Sequence, residues 1–261
     1  MYNDYENYLK EVNREDLSEV SFKSNAKFIS ILEHVSPKQG VAYLKLIEAE
    51  FPEITYDDIR KYVNVNDKIG GSTKSIFTTT KNKMIYCSPT NMRYIYHALL
   101  ILTAYKDSGC KQMVEMGCGY SGLFLAINMF QTKMDVKVGK YNMVDLPDIC
   151  TLIDNYLEIN KDFVSIPYDI YESTNYGAEV PGDGLFFISN YCFSELDDNT
   201  RNQYVNTLFP KVEHGFIVFQ TCFNLPLDSL NHMLVGKTII KSEHERPQTA
   251  PAHAPNWFVY F

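Results

Sequence analysis

The sequence predicts an α/β fold: an N-terminal helical region, then a doubly wound, mostly parallel seven-stranded sheet with an antiparallel C-terminal strand pair. Three observations lead to this prediction. From Gln112 onward, near-continuous apolar strands alternate with helical segments, as in parallel sheets that are covered on both faces. The last three strand-like segments are joined by loops, with no clear helix after "HMLV", which favours an antiparallel pair. Up to about Val65 the signals are helical.

The N-terminal region carries three helix signals. In "SFKSNAKFISILEHV", apolar residues recur at i, i+3, i+4 and i+7, which predicts a helix with Phe28, Ile31, Leu32 and Val35 on one face. Ser36 and Pro37 are typical of an N-cap and a first helical residue, and predict a helix over "PKQGVAYLKLIEAEF". Thr55 begins a third helix, "YDDIRKYV", whose first turn is acidic.

A stretch rich in Gly, Ser, Thr and Asn follows these helices. It reads "NVNDKIGGSTKSIFTTTKNKMIYC" and predicts a loop that contains a hairpin. Ser88 and Pro89 then form another N-cap and first residue, opening a helix over "TNMRYIYHALLILTAYK". We therefore expect two parts, a helical region over residues 1–65 and a main domain over residues 66–261.

The main domain is built from alternating segments. The predicted strands are "QMVEMG", "YNMVDL", "FVSIPYD", "GLFFISNY", "GFIVFQT", "TIIKSE" and "NWFVYF". The predicted helices between the earlier strands are "SGLFLAINMFQ", "LPDICTLIDNYLEIN" and "DDNTRNQYVNTLFPKV". In such a sheet the ligand crevice lies beyond the carboxyl ends of the strands, so polar residues that end a strand are the first candidates for a site.

Composition narrows the function classes. The chain of 261 residues has 24 Lys and Arg against 32 Asp and Glu, and its net charge of −8 weighs against a broad electrostatic grip on nucleic acid. No apolar run is long enough to span a membrane, and the polar, acidic start resembles no secretory signal. The cysteines are scattered, without C-x-x-C or zinc spacing, so we expect reduced thiols, a cytoplasmic protein and no metal: Cys87, Cys110, Cys118, Cys150, Cys192 and Cys222.

The stretch "VEMGCGYSGLFLAI" contains Gly117, Gly119 and Gly122 in the G-x-G-x-x-G spacing of dinucleotide sites, between a strand and a helix. Glu115 stands two residues before the first glycine, where a carboxylate would repel a pyrophosphate in a poorly screened cleft. S-adenosylmethionine carries an ammonium and a sulfonium and no phosphate, so this loop favours it as the cofactor. The third glycine could simply seat the helix against the strand.

A second acidic residue, Asp145, ends the second strand, 26 residues after Gly119. A carboxylate there can accept hydrogen bonds from both hydroxyls of a ribose, which NAD and S-adenosylmethionine share. It could instead cap the helix that begins at "LPDI", or do both.

These residues resemble the class I S-adenosylmethionine-dependent methyltransferases, which have E-x-G-x-G after the first strand and an acidic residue after the second. More narrowly, the chain resembles the sugar O-methyltransferases of polysaccharide and surface-glycan gene clusters. The resemblance runs from about Asn66 to Phe261 and rests on "SPTNMRYIYHALLI", "VEMGCGYSG", "YNMVDLPDI", "ISNYCFSEL" and "ERPQTAPAHAPNWFVY". Cys118 and Ser121 depart from the small residues expected at their positions.

The resemblance implies a Rossmann-like fold and a cofactor site. The cofactor-binding candidates are Glu115, Gly117, Cys118, Gly119, Asp145, Leu146, Asp169, Asn190 and Arg93. Asp169, expected after the third strand, would contact adenine. Arg93 would clamp a carboxylate, either of the cofactor or of an acidic acceptor, or it is an exposed helix arginine. Tyr191, Asn66 and Asp67 are substrate-binding candidates, the last two in a loop that could close over the site.

Methyl transfer to a hydroxyl needs the acceptor oxygen about 3 Å from the methyl carbon and a base for its proton. Glu195, after the fourth strand, is the first candidate, although a glutamate in a helix's first turn is also favoured by the helix dipole. His244, His253 and Glu245 are rivals in the C-terminal loops. The alternatives are a methyltransferase acting on a non-sugar oxygen such as a phosphoryl-type group, an NAD-dependent oxidoreductase, and a binding module that retains the fold. A homodimer is a further possibility.

Overall fold

The computed structural model describes residues 2–221, 225–234 and 236–261. The chain forms two compact units. The first comprises Met1–Leu100, Gly119–Val136 and Thr151–Ser165, and the second comprises Ile101–Cys118, Lys137–Cys150 and Ile166–Phe261. The predicted boundary at residue 65 stays a prediction.

Short polar motifs decide where the helices begin. Ser36 accepts a hydrogen bond from the Gln39 backbone while the Gln39 side chain accepts from Ser36, and Thr55 and Asp58 form the same capping box. Both predicted helices are confirmed, as is the one that starts at Pro89. The helices are α1 Tyr2–Val12, α2 Ala26–Ile29, α3 Pro37–Glu50, α4 Tyr56–Asn66, α5 Pro89–Ser108, α6 Gly122–Phe130, α7 Pro147–Ile159, α8 Cys192–Glu195, α9 Asp198–Thr207 and α10 Leu230–Met233.

The predicted long helix over residues 21–35 is wrong. Phe22–Ser24 is a 3-10 turn and α2 has only four residues, because polar side chains satisfy the backbone locally. Asn25 accepts from the Lys27 backbone, and the Ser30 hydroxyl donates to the Lys27 carbonyl. The segment up to Ser36 is therefore irregular, with Phe28 buried.

Two strands form a hairpin in the first unit, as predicted. β1 Ser75–Thr78 and β2 Met84–Cys87 pair antiparallel, with Ile76 opposite Tyr86. Residues alternate between the two faces: Phe77 and Ile85 are buried. Phe77 packs so closely on Gly40 of α3 that a Cβ there would lie 2.6 Å from the Phe77 ring.

The second unit is built on the seven-stranded sheet, whose order is β5-β4-β3-β6-β7-β9-β8. The strands β3 to β7 pair in parallel, whereas β9 pairs antiparallel with β7 and with β8. This confirms the predicted fold class, including the C-terminal antiparallel pair. The strands are β3 Gln112–Met116, β4 Lys140–Asp145, β5 Tyr168–Glu172, β6 Leu185–Asn190, β7 Val212–Gln220, β8 Lys241–His244 and β9 Asn256–Tyr260.

Two strands lie later in the chain than predicted. β5 starts at Tyr168 because Pro167 has no N–H to donate; its carbonyl instead accepts from Tyr141 of β4. β8 covers residues 241–244, not 238–243.

The core of the sheet is apolar, with side chains such as Val114, Phe187 and Val259 fully buried. The described cysteines Cys87, Cys110, Cys118, Cys150 and Cys192 are free thiols, whereas Cys222 lies outside the described residues. Among the helices of the described ranges, none has the length and hydropathy to cross a membrane.

Candidate functional site

The carboxyl ends of the parallel strands form one edge of the sheet in the second unit. The sheet order reverses between β3 and β6, and the crevice at such a reversal is the usual ligand site of open α/β sheets. Gly117 follows β3 there, and Asn190 ends β6. The register pairs Met116, the residue before Gly117, with Val144, the residue before Asp145, and it places Asp145 opposite Glu172.

The first glycine of the loop is required by its surroundings. Gly117 has a φ of +78°, and a Cβ added to it would lie 2.4 Å from the Cβ of Cys192, the first residue of α8. Its N–H donates to the carbonyl of Val144 at 3.0 Å. A side chain at this position would therefore push α8 away from the strand ends.

The third glycine has a packing role. Gly122 opens α6, and a Cβ on it would lie 2.6 Å from Cε2 of Tyr94. It seats the helix as expected, but the neighbour it packs against is α5 and not the preceding strand. Between the glycines, Ser121 adopts a φ of +69°, a strained conformation for a residue with a side chain, of the kind that clusters at functional sites.

Glu115 is buried in β3, and the hydroxyl of Tyr141 donates to its Oε2 at 2.9 Å. Burial raises the pKa of Glu115 to about 8, and the nearby Asp145 charge adds to this shift while the hydrogen bond from Tyr141 opposes it. Repulsion between Glu115 and a pyrophosphate requires an ionised Glu115. In the structure, ionisation is costly, and a cationic ligand would lower that cost whereas a pyrophosphate would raise it.

This burial predicts a pH effect. The pKa of about 8 exceeds the ordinary value of 4.5, so the stability that Glu115 contributes is fully present below that value and is lost as pH rises through 8. Glu115→Gln keeps an acceptor for Tyr141 without a proton to lose. By calorimetry, we expect this variant to have a higher Tm than wild type at about pH 9 and a smaller difference at about pH 6. Each kcal/mol of difference in the free energy of unfolding should shift Tm by roughly 2–4 °C.

The matched control is Glu172→Gln, an exposed carboxylate at the end of β5. It should keep the wild-type dependence of Tm on pH. A Tm difference for Glu115→Gln that stays constant between these pH values would show that Glu115 is ionised in the folded protein.

Asp145 ends β4, the strand that pairs with β3. Its Oδ1 accepts from the backbone of Leu146 at 2.8 Å, and α7 begins two residues later. This bond lies within the turn that leads into α7, at the position where the sequence predicts a ribose-binding carboxylate. Cys118, also buried there, donates its thiol proton to the carbonyl of Glu115.

After β6 the chain turns sharply into α8. Tyr191 has a φ of +71°, and its N–H donates to the carbonyl of Val218. The Ser194 hydroxyl donates to the Tyr191 carbonyl at 2.8 Å and accepts from the Gln220 N–H at 3.1 Å. Glu195 is the last residue of α8 and is partly exposed. This turn brings Asn190, Tyr191 and Glu195 to the carboxyl edge.

Glu245 is buried and its carboxylate is fully engaged. Oε1 accepts from the Tyr191 hydroxyl, and Oε2 accepts from the backbone and hydroxyl of Thr249 and from Nδ2 of Asn256. These contacts tie the C-terminal loop to the sheet and hold the Tyr191 ring. They favour a positioning role for Glu245 over the predicted role as a base.

The two histidine candidates are both exposed. His244 ends β8, and its ring meets Trp257 edge-on at 4.2 Å between centroids. His253 lies in the loop before β9. The geometry therefore keeps His244 at the carboxyl edge and leaves His253 on a solvent-facing loop.

The expected position of Asp169 after the third strand is wrong. It is the second residue of β5, opposite Asn142, because that strand begins late. Lys140 lies 2.5 Å from its Oδ2, and the Tyr171 hydroxyl donates to the same oxygen at 2.9 Å. The hydrogen bonds from Lys140 and Tyr171 lower the pKa of Asp169. The residue at the carboxyl end of this strand is Glu172.

Three predicted residues belong to the first unit and are buried there. Arg93 donates to the carbonyl of Leu32 at 2.8 Å and contacts Nε2 of His34 at 3.1 Å, so it is no exposed helix arginine. Asn66 ends α4, where a loop was expected, and accepts from the Tyr156 hydroxyl. Asp67 accepts from the Ser72 hydroxyl and the Ser88 N–H.

The second half of the glycine loop is anchored in the same unit. The hydroxyl of Tyr120, which follows Gly119, donates to Glu33 at 2.9 Å and accepts from Nδ2 of Asn66 at 3.1 Å. Leu32 lies 3.0 Å from where a Cβ of Gly119 would be. The N-terminal segment thus fixes Gly119 and Tyr120.

Two residues of the edge were missed from the sequence. Gln220 ends β7 and Asn256 begins β9, directly opposite each other. Gln220 Oε1 and Asn256 Oδ1 are buried oxygens without a hydrogen-bond partner among the described residues. The signal was available: each is a polar residue at the end of an apolar strand, as Asn190 is. In the described part of the chain, no group of three His, Cys, Asp or Glu is arranged to hold a metal.

No protein-family model and no curated protein sequence matches this chain. Among solved structures, the methyltransferase domain of bacterial CtHen1 is similar with a TM-score of 0.47 and 11% identity, over 63% of this chain and 95% of that one. Magnesium protoporphyrin IX methyltransferase from Synechocystis, with bound SAM, is similar with a TM-score of 0.46 and 8% identity, over 64% of this chain and 77% of that one. A proposed O-methyltransferase from Nostoc punctiforme is similar with a TM-score of 0.43 and 9% identity, over 100% of this chain and 96% of that one. Likeness this distant says nothing about the reaction or its acceptor.

Proposed function

We propose that this protein transfers a methyl group from S-adenosylmethionine to a hydroxyl of a sugar or nucleotide-linked sugar, in the synthesis of a surface polysaccharide. The observation that carries the proposal is the arrangement at the sheet reversal. Gly117 follows β3 with no room for a side chain, Asp145 ends the neighbouring strand β4, and the buried Glu115 lies in β3 two residues before Gly117.

The cofactor would be held at the edge of the second unit where the parallel strands end. Asp145 suits the two ribose hydroxyls, and the turn at Gly117 and Cys118 lets a ligand approach the main chain closely. Leu146 and Asn190 lie at the same edge. Glu115 favours a ligand that carries positive charge over one that carries phosphate.

Bound S-adenosylmethionine supplies a methyl group on a positively charged sulfur. The protein's part is to place the acceptor oxygen in line with that methyl and to take the hydroxyl proton. Glu195, partly exposed at the end of α8, is the proposed base. Tyr191, held by Glu245, would contact the acceptor.

The side-chain amides of Gln220 and Asn256, which we call the amide pair, favour a sugar as the acceptor. Two buried carbonyl oxygens without a described partner are destabilising unless a donor satisfies them. Hydroxyl groups of a sugar are such donors, and neutral amides suit an uncharged polyol better than a charged group. The side chains lie directly opposite each other on β7 and β9, so both can meet one ligand.

The amide pair predicts a specific loss. Gln220→Leu should raise KM for the acceptor about tenfold, the usual worth of one hydrogen bond, because leucine offers no acceptor atom. The Kd for S-adenosylhomocysteine should not change. The control is Gln112→Leu, at the amino end of β3 on the opposite edge, which should leave KM unchanged. An unchanged KM in Gln220→Leu would remove the amide pair from the acceptor site.

The cofactor assignment is tested by calorimetric titration. We expect S-adenosylhomocysteine to bind and NAD to give no heat. Binding of NAD without binding of S-adenosylhomocysteine would overturn the proposal in favour of an oxidoreductase that uses the literal G-x-G-x-x-G spacing.

The acceptor is tested by measuring S-adenosylhomocysteine release across a panel of nucleotide-linked sugars. Release with one or a few of them supports the proposal. Release only with a non-sugar or phosphoryl-type acceptor would overturn the sugar assignment while leaving the methyltransferase, and no release with any acceptor would favour a binding module.

A further inference from the structure

The outer face of the β1–β2 hairpin is apolar and exposed. Ile76, Met84 and Tyr86 are 65%, 68% and 65% exposed. The register puts Ile76 opposite Tyr86 and Thr78 opposite Met84, so all three side chains lie on one face, while Phe77 and Ile85 fill the other. Single exposed apolar residues are ordinary, but three adjacent ones on one sheet face indicate a docking surface. We call these three residues the hairpin patch.

The hairpin lies in the most basic part of an acidic chain. From Lys68 to Lys106 the sequence has no Asp or Glu, although the whole chain has a net charge of −8. Lys81 and Lys83 are exposed where the hairpin turns, and Lys74 directly precedes β1. The Lys74 ammonium lies 5.9 Å from the Tyr86 ring centroid. Lys74 therefore lies beside the patch. Lys81 and Lys83 flank it along the chain, with the Lys83 ammonium 4.8 Å from the ring centroid of Tyr56 in α4.

The carboxylates that neighbouring helices bring towards the hairpin are already engaged. Glu48 of α3 accepts from the backbone and hydroxyl of Thr80 in the turn. On α4, Asp57 pairs with Arg60 and Asp58 pairs with Lys133. Arg60 and Lys133 offset the charges of Asp57 and Asp58, whereas Glu48 is held by neutral donors. Among the described residues at the hairpin, the three lysines therefore outnumber the one carboxylate that lacks a cationic partner.

We propose that the hairpin patch docks the protein on an anionic lipid surface. Ile76, Met84 and Tyr86 would enter the interface, and the flanking lysines would contact the headgroups. Apolar side chains bordered by lysine are the chemistry of peripheral membrane binding, and tyrosine is favoured at the headgroup level. The proposal is independent of the reaction, and adds that the protein works beside a membrane.

Charge favours the lipid over a second copy of this chain. A two-fold symmetric dimer through the patch would bring the same surface of both copies together. Lys74, Lys81 and Lys83 of one copy would then approach those of the other, and like charges at an interface are unfavourable. An anionic bilayer meets the same lysines with opposite charge.

The test is co-sedimentation of the full chain with vesicles. We expect binding to vesicles of phosphatidylcholine and phosphatidylglycerol, weak binding to phosphatidylcholine alone, and a loss of binding as salt is raised. Lys81→Gln with Lys83→Gln should lower the partition coefficient about 25-fold, taking about fivefold for each lysine. Ile76→Ser, Met84→Ser and Tyr86→Ser together should lower it more than about tenfold.

Matched controls use exposed residues elsewhere. Ile240→Ser removes an isoleucine that is 70% exposed, and Lys137→Gln removes an exposed lysine; neither should alter binding. Far-UV circular dichroism and Tm check that every variant is folded. Equal binding to both kinds of vesicle, no binding to either, or unchanged binding by the hairpin variants would overturn the proposal. So would a dimer in light scattering that the triple serine variant dissociates.

Discussion

Replacing Gly117 by alanine is expected to weaken S-adenosylhomocysteine binding by at least about thirtyfold. Overpacking costs about 1–3 kcal/mol and the left-handed backbone adds about 1–2, and a loop that shifts to relieve this strain must return to its original position before it can bind the cofactor. The added Cβ would lie 2.4 Å from the Cβ of Cys192, so either the loop or α8 must move. Either shift displaces main-chain atoms that the proposed function places against the cofactor. Isothermal titration calorimetry gives the affinity directly.

A matched glycine separates the clash from the backbone strain. Gly109 has a φ of +74°, close to the +78° of Gly117, but a Cβ there would meet no atom within 4 Å. Gly109→Ala should therefore cost about 1 kcal/mol of stability and leave the affinity unchanged.

A second substitution tests the contact itself. Cys192→Gly in the Gly117→Ala background removes the opposing Cβ, so part of the lost affinity should return. Wild-type affinity in Gly117→Ala alone would show that the cofactor does not depend on this turn. Equal losses in Gly109→Ala and Gly117→Ala would point to global destabilisation instead.

Features governed by neighbours in the chain were predictable. Ser36, Thr55 and Ser88 precede helices in the structure as the sequence indicates, because a capping side chain bonds to an N–H two or three residues away. The parallel sheet and the glycine turn follow likewise from apolar strands that alternate with helices. Asp145 lies at the carboxyl ends of the strands as predicted, because it ends the apolar segment that forms β4.

Features that depend on residues far apart in the chain could not be predicted from the sequence. Tyr191 and Glu245 are 54 positions apart, and only the folded sheet shows that one holds the other. Asp169 was misplaced because one proline delays β5 by several residues, which moves the side chain away from the edge. The pKa of Glu115 depends on burial, a property of the whole fold that a local pattern does not contain.

The helix predicted over residues 21–35 failed for a related reason. Its apolar spacing is real, yet Phe28 is buried while Leu32 lies against Gly119 of the glycine loop. Both residues satisfy tertiary contacts from an irregular chain. Periodicity alone does not separate these two ways of burying the same residues.

The second large effect concerns the proposed base. Glu195→Gln should reduce turnover about 10²–10⁴-fold, the usual contribution of a positioned general base, because an amide cannot take the hydroxyl proton. The Kd for S-adenosylhomocysteine should stay at the wild-type value. The measurement pairs calorimetry with the rate of S-adenosylhomocysteine release from the best acceptor of the panel.

Three variants decide between Glu195 and its rivals. Glu213→Gln, near the amino end of β7 on the opposite edge, should leave turnover unchanged and serves as the matched carboxylate control. His244→Ala and His253→Ala should each cost far less than Glu195→Gln, since His244 packs on Trp257 and His253 lies on an exposed loop. Full turnover in Glu195→Gln together with a large loss in one histidine variant would move the base to that histidine. A parallel loss of cofactor affinity in Glu195→Gln would instead make Glu195 a residue that shapes the site, because a base acts on the acceptor's proton and leaves cofactor binding alone.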